Sequence, residues 1–339
     1  MHKVKLNHAS LISESMPDDV VDASSVSQQQ SAQVHKLVCQ VRPIPPTPET
    51  ICAVVVTYHP DLDFFERFRR IAPQVGHTVI VDNGSSNQLT ERLQKLAGEY
   101  GIHLILNGHN EGLANALNAG ARWAIEQGFP WVLTLDQDTV VAPSMVDSFT
   151  EIFRWYPFPG RLAIIGSNYR DKTTGKVLWD EAVAGQAPAI EIAAVLTSGS
   201  LVSVDTFQAL GGFRGDFFID CVDFEYCLRA RSKGFQVLMT SKPVMEHAIG
   251  HLTEHRLLWK TVRTSNHSPA RQYFLARNSL ILVREYFHKE PQWIHKYLWA
   301  WIRSIVRVVL LEEQRVSKVK NILRGCVDGA LGRTKWKPK

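Results

Sequence analysis

The chain has 339 residues, 45% of them hydrophobic and 21% charged, a folded globular composition with length for one large or two ordinary domains. Its net charge of +5 suits an anionic nucleotide or a membrane surface and is too small to argue for nucleic acid as a partner. Five cysteines without a CxxC pair read as a reduced, cytoplasmic protein, and neither a signal peptide nor a transmembrane helix is expected from the hydropathy pattern.

Residues 1–47 read as a disordered leader, with a polar stretch at 24–33 and a Pro-rich extended spacer at 42–48. Strands and helices then alternate. Ile51–Tyr58 is a β-branched apolar strand closed by His59-Pro60, and Asp61 is placed to cap a helix reaching the early 70s. Thr78–Asp82 is a second strand, ended by Asn83-Gly-Ser-Ser86. A helix over 88–100 and a strand over 102–106 follow. Leu113, Ala116, Leu117, Gly120, Ala121, Ala124 and Ile125 keep one helical face, and 131–135 is a buried strand. Such a series predicts a parallel sheet covered on both faces, with ligands beyond the carboxyl ends of its strands. Tyr58, Asp82 and Asp136 all fall at such ends and are expected to share one crevice. Past residue 160 the pattern loosens. Strands are expected at 162–166, 200–204 and 235–239, a short helix at 223–233, and basic, aromatic helices from about 268.

The chemistry centres on Asp136-Gln-Asp138, two carboxylates delivered by the end of a core strand. Isolated carboxylates are costly there, and a divalent cation relieves the cost by taking their oxygens. Two reactions fit the string. In one, an ion bridges Asp136 and Asp138 to the diphosphate of a nucleotide-sugar. In the other, Asp136 is a nucleophile that takes a phosphoryl group and Asp138 its acid/base, as in the DxDx[TV] motif of haloacid-dehalogenase-like phosphatases. Those enzymes usually open their domain with the DxD strand, whereas three strands precede it here. Asp82 reads equally as a base-binding acid or as an Asx turn before Asn-Gly. Asn110 and Gly112 open a helix whose amides suit an anion, against the plainer reading of a capped, closely packed helix. Asn115 and Asn118 are weak helix formers that call for a reason.

In order, Val54-Val-Val-Thr-Tyr58, Val79-Ile-Val-Asp-Asn-Gly-Ser85, Asn110–Gly120 and Leu135-Asp-Gln-Asp138 resemble glycosyltransferase family 2 over about residues 50–250. The block Ser198-Gly-Ser-Leu-Val202 with Leu210–Arg231 is similar to the bacterial rhamnosyltransferase branch, and galactofuranosyltransferases share much of it. The resemblance implies an α/β GT-A fold, with a Rossmann-like, mostly parallel nucleotide-binding sheet and a helical C-terminal extension. Domains are expected at 48–255 (catalytic) and 256–339 (helical, basic and amphipathic). It implies an inverting enzyme that moves L-rhamnose from dTDP-L-rhamnose to a hydroxyl of a lipid-linked or other surface glycan such as O-antigen, with Mg2+ or Mn2+.

Roles follow residue by residue. Thr57, Tyr58 and Asp82 would bind the nucleoside, with Asn110, Gly112, Asp136 and Arg277 also on the nucleotide-sugar. Asp136, Asp138 and His247 would hold the metal, His247 being a structural residue on the alternative reading. Asp223 would be the general base; Asp220, Asp223 and Glu225 lie close together, so that mutual repulsion would raise one pKa among the three, where the alternative is a solvated helix start. Arg271, Arg277 and Asn278 would reach diphosphate or acceptor unless they merely form a helix face, and His251 is a weaker metal candidate. Many relatives carry two adjacent acids before the last Asp of this motif; here Gln137 fills the middle and the outer pair, Asp136 and Asp138, is kept. The Trp-rich basic helices from Trp293 suit the inner face of a cytoplasmic membrane, or packing and homo-oligomer formation. The alternatives are another donor such as a UDP-galactofuranose, an aspartyl-phosphate phosphotransferase, or a non-catalytic nucleotide-sugar-binding scaffold.

Overall fold

In the computed structural model, residues 43–172, 174–179, 187–247, 253–257 and 260–334 are described. They form two compact units, one ending at His247 and the other beyond it.

β1 (Ile51–Thr57) is buried at every position. An unbroken apolar run is what a strand covered on both faces requires. It pairs in parallel with β2 (His77–Asp82) and β4 (Trp131–Asp136), and β3 (His103–Leu106) continues the parallel set beyond β2. The crossovers are α1 (Phe64–Ile71), α2 (Asn87–Tyr100) and α3 (Leu113–Glu126). Gly120 lets α3 lie close on the sheet, since a Cβ there would stand 2.4 Å from Val54 Cγ1.

The remaining strands are β5 (Val140–Val141), β6 (Leu162–Asp171), β7 (Ala189–Glu191), β8 (Ser200–Ser203) and β9 (Gln236–His247). They complete one sheet of order β3-β2-β1-β4-β8-β6-β9-β5, with β7 also on β9. β8 is antiparallel to β4 and β6, and β5 and β7 are antiparallel to β9, while β6 and β9 are parallel. Thus β1–β4, β6 and β9 point one way and only β5, β7 and β8 oppose them, which makes the sheet mostly parallel as expected. α4 (Met145–Trp155), α5 (Val204–Leu210) and α6 (Val222–Ser232) complete this unit.

Several local expectations are corrected. Asp61 does not cap α1; Asp63 holds the N-cap position and Asp61 pairs with Arg67. Val204 starts α5 instead of ending a strand, because Ser203 accepts a bond from the Thr206 amide and caps the helix. β6 and β9 run well past their apolar starts. Residues 1–42 of the expected leader lie outside the described residues, but its last part is docked: Trp131 Nε1 donates to the Ile44 carbonyl at 2.8 Å and Thr150 Oγ1 to that of Pro46.

The second unit holds an antiparallel pair, β10 (Thr253–Leu257) and β11 (Lys260–Thr264), and three helices, α7 (Pro269–Tyr286), α8 (Pro291–Leu311) and α9 (Arg315–Ala330). α7 and α9 pack backbone to backbone through Gly325 and Gly329, where a Cβ would stand 2.4 Å from the Tyr273 carbonyl oxygen and 2.5 Å from that of Arg277. Glu312 and Lys318 form a buried pair at 2.8 Å, and both also bond Asn266. Among the described residues no helix is long and apolar enough to cross a membrane.

Candidate active site

Strand register brings the first residues together. Thr57 lies opposite Asp82, and Val56 opposite Asp136, so three strand ends form one edge. Asp82 is buried and fully engaged. Its Oδ1 accepts from Thr57 Oγ1 at 3.0 Å and Ser85 Oγ at 2.5 Å, and its Oδ2 from the Ser85 and Gly84 amides at 2.9 and 3.3 Å. Here the Asx turn and the strand-end acid are the same feature. Tyr58 stands out from this edge, 48% exposed. Its amide donates to Gln137 Oε1 at 2.7 Å, and Gln137 Nε2 donates to its carbonyl at 3.2 Å.

The loop before α3 is built from asparagines. Asn83 Nδ2 donates to Asn110 Oδ1 at 3.0 Å, while Asn83 Oδ1 accepts from Asn107 Nδ2 and the Glu111 amide. Asn110 Oδ1 also caps the Gly112 amide, and the Leu113 amide donates to the Phe218 carbonyl at 2.6 Å. The Gly112 and Leu113 amides at the start of α3 are therefore engaged within the protein. Gly112 has φ +88°, and a Cβ there would meet Phe218 at 2.6 Å, so only glycine fits. Asn118 binds both the amide and the carbonyl of Phe213 at 2.8 Å, which supplies the reason for a weak helix former inside α3.

Asp136, Asp138 and His247 converge, their ligand atoms all within 4.8 Å of one another. β5 explains this. It follows the DxD loop and pairs with the end of β9, Val140 opposite Glu246, which brings residue 247 beside the loop. His247 Nδ1 lies 3.8 Å from Asp138 Oδ1 and 3.4 Å from Thr139 Oγ1. Thr139 Oγ1 contacts Ser198 Oγ at 2.5 Å, and Ser198 Oγ accepts from the Asp136 amide at 3.0 Å. These two hydroxyls, unassigned in the sequence, fix both the loop and the imidazole. Gly199, at φ +74°, admits the close approach of Met245 just before His247. Two oxygens and one imidazole nitrogen form a coherent donor set for a divalent ion, and the nitrogen favours Mn2+ over Mg2+. The backbone carbonyls of the loop are met by cations: Arg67 Nε donates to Gln137 O at 2.9 Å and Lys172 Nζ to Asp138 O at 3.0 Å.

Asp223 lies in the first turn of α6, beyond a segment in which Phe218, Asp220 and Cys221 all have positive φ, 62°, 64° and 60°. Each such residue stores on the order of 1–3 kcal/mol, held by its surroundings. The Asp223 carboxyl is pushed up to about 7, first by burial and then by the charges of Asp220 and Asp136, against the bond it accepts from the Phe224 amide. Glu225 is not among the leading causes. It turns inward to Arg229 at 3.0 Å, and that guanidinium also holds the Leu210 and Gly212 carbonyls. A carboxylate poised near neutrality, acting electrostatically on the Asp136 side of the metal cluster, can take a proton from a hydroxyl.

The remaining candidates lie in the second unit. Arg277 is fully buried in α7, where it donates to Asn278 Oδ1 and the Thr334 carbonyl and stacks on Phe274. Arg271 occupies the first turn of the same helix, its amide donating to Ser268 Oγ. His251 lies outside the described residues.

Three comparisons with known proteins bear on this arrangement. The family model described as Glycosyl transferase family 2 matches residues 62–186. A dTDP-rhamnosyl transferase, RfbF of Shigella flexneri, is 28% identical over 297 residues, covering 84% of this chain and 96% of that protein. Among solved structures, residues 1–349 of S. aureus TarS superpose with a TM-score of 0.57 at 14% identity, covering 84% of this chain and 82% of that one. A mannosyltransferase from Pyrobaculum calidifontis, solved with GDP-Man and Mn2+, gives a TM-score of 0.51 at 15% identity, covering 89% and 94%. Both structural likenesses identify the fold as GT-A.

Proposed function

From the premise that this chain belongs to glycosyltransferase family 2 and is a glycosyltransferase, we propose that it moves L-rhamnose from dTDP-L-rhamnose to a glycan hydroxyl with inversion. The observation that carries the reading is the pairing of a carboxylate of raised pKa, Asp223, with the Asp136-Asp138-His247 cluster. In this reading Asp223 takes the proton from the acceptor hydroxyl, and inversion follows because base and leaving group act on opposite faces of the sugar. Asp136, Asp138 and His247 would hold Mn2+, which when bound offsets the charge developing on the diphosphate. Tyr58 borders the base, and Thr57 with Asp82 keeps that strand end fixed. The donor rests on the likeness to the Shigella dTDP-rhamnosyl transferase.

The test is thermal-shift titration of the full chain with UDP-, GDP- and dTDP-sugars, with and without Mn2+. Stabilisation by dTDP-rhamnose alone is the expected result, and a response confined to UDP-sugars would overturn the donor.

The acceptor is proposed to be lipid-linked, with the protein peripheral on an anionic membrane face. α8 carries no acid over Pro291–Leu311 and exposes Trp299, Ile302, Val306, Val309 and Leu310 along one face, beside Lys296, Arg303 and Arg307. A basic helix edged with tryptophan complements anionic lipid, whereas a second copy would oppose like charges. Flotation with phosphatidylglycerol vesicles but not phosphatidylcholine vesicles is expected, and to be lost in Val306→Glu/Leu310→Glu. Flotation with neither lipid would remove this part of the reading.

A further inference from the structure

We propose that Gln137 is a positioning residue that ties the nucleotide side of the site to its metal side through Tyr58. It stands between Asp136 and Asp138, where its side chain would be expected to add to the metal cluster. Instead the carboxamide turns to the end of β1 and satisfies both backbone polar groups of one residue, accepting from the Tyr58 amide at 2.7 Å and donating to the Tyr58 carbonyl at 3.2 Å. Only a group with a donor and an acceptor in one plane can do this. Tyr58 has already left the β1 ladder, which ends at Thr57, and its ring touches that of His59 at 4.5 Å. The clamp is itself anchored, because Arg67 holds the Gln137 carbonyl while pairing with Asp61. The Asp136–Asp138 loop is thus tied to the backbone that carries the exposed Tyr58 ring.

A glutamate at 137 would still accept from the Tyr58 amide. It would also set a carboxylate oxygen against the Tyr58 carbonyl and add a third charge beside Asp136 and Asp138. Glutamine supplies the same reach without either penalty.

This inference rests on the nucleoside role of Tyr58 proposed above. The experiment is calorimetric titration of the full chain with dTDP, with and without Mn2+, for the wild type, Gln137→Ala, Gln137→Glu and Tyr58→Ala, with donor KM and kcat measured alongside. Losing the paired bonds should weaken dTDP binding by about tenfold in Gln137→Ala even without Mn2+. Donor KM should rise by a similar factor with kcat changed less than about threefold, since the loss falls on binding. Gln137→Glu should bind Mn2+ at least as well as the wild type yet bind dTDP no better than Gln137→Ala. If Tyr58→Ala leaves dTDP affinity unchanged, the nucleoside reading of Tyr58 fails and takes the clamp's purpose with it. If Tyr58→Ala weakens binding and Gln137→Ala does not, the clamp alone is refuted. A fall in kcat at unchanged KM would likewise overturn it.

Discussion

Replacing Asp223 by Asn should inactivate the enzyme and stabilise its fold. The carboxyl rises from 3.8 to about 7 on folding. At about 1.4 kcal/mol per pH unit, a rise of roughly three units amounts to about 4 kcal/mol, and residual solvent contact at the carboxylate trims it to about 2–4 kcal/mol. Between pH 4 and 7 the folded state holds a proton that the unfolded state has released. Stability therefore falls as pH rises through that window, and the full cost is present above pH 7. The isosteric amide cannot ionise and escapes that cost. Thermal melts in EDTA, which keeps any ion from neutralising Asp136, should show the variant and wild type alike at pH 4 and the variant higher at pH 8. At about 2–4 °C per kcal/mol for a unit of this size, the gain is on the order of 5–10 °C. Transfer by the same variant should fall by roughly 10²–10⁴-fold, the range for loss of a general base. Equal melting temperatures at pH 8, or normal transfer, would refute the argument that burial holds this carboxylate in reserve for catalysis.

Further outcomes follow from the same geometry. The acid limb of kcat/KM should have its midpoint at or below pH 7, because an ion on Asp136 removes a charge that raises Asp223; the limb should move upward as Mn2+ is lowered, read from pH–rate profiles at fixed Mn2+ levels. Asp138→Asn and His247→Ala should each weaken Mn2+ binding by about 10–100-fold by calorimetry, and Ser198→Ala less, since it acts only on the orientation of the loop and ring. Gly325→Ala should lower stability by about 1–3 kcal/mol or more in denaturant titration, because the added methyl meets the Tyr273 carbonyl, which belongs to a helix backbone and cannot turn aside.

The parallel half of the sheet was readable because each strand there is a largely apolar run of its own, with Gly, Asn or Pro at one end or the other. Residues 51–57 and 131–136 needed no partner to be recognised. The later half depends on pairings that the local pattern does not carry. β9 continues through Lys242 and Pro243 because β6 runs beside it, and β5 is two residues long and exists only against the end of β9. The same pairing sets His247 beside Asp138, a convergence across more than a hundred residues. Asp223 was legible as an acid at a helix start and Asp220 as one charge acting on it, but burial, the largest cause of its perturbation, was not. Sequence proximity pointed to Glu225, which turns away to Arg229, whereas burial and the more distant Asp136 act on it. Gln137 stood in the sequence as a missing acid, and its geometry gives it a partner on another strand.

Three carboxamides in the first unit each grip both backbone groups of one remote residue: Gln137 on Tyr58, Asn118 on Phe213 and Asn168 on Trp179. None of these fasteners carries charge, so neither acid nor salt loosens them. These three contacts therefore add no pH dependence of their own across the range in which Asp223 changes state. Their weakness is chemical ageing. Hydrolysis of one amide to an acid turns a donor into a negative oxygen facing a carbonyl, so an old preparation would lose donor affinity in discrete, covalently modified fractions, each one mass unit heavier than the fresh protein.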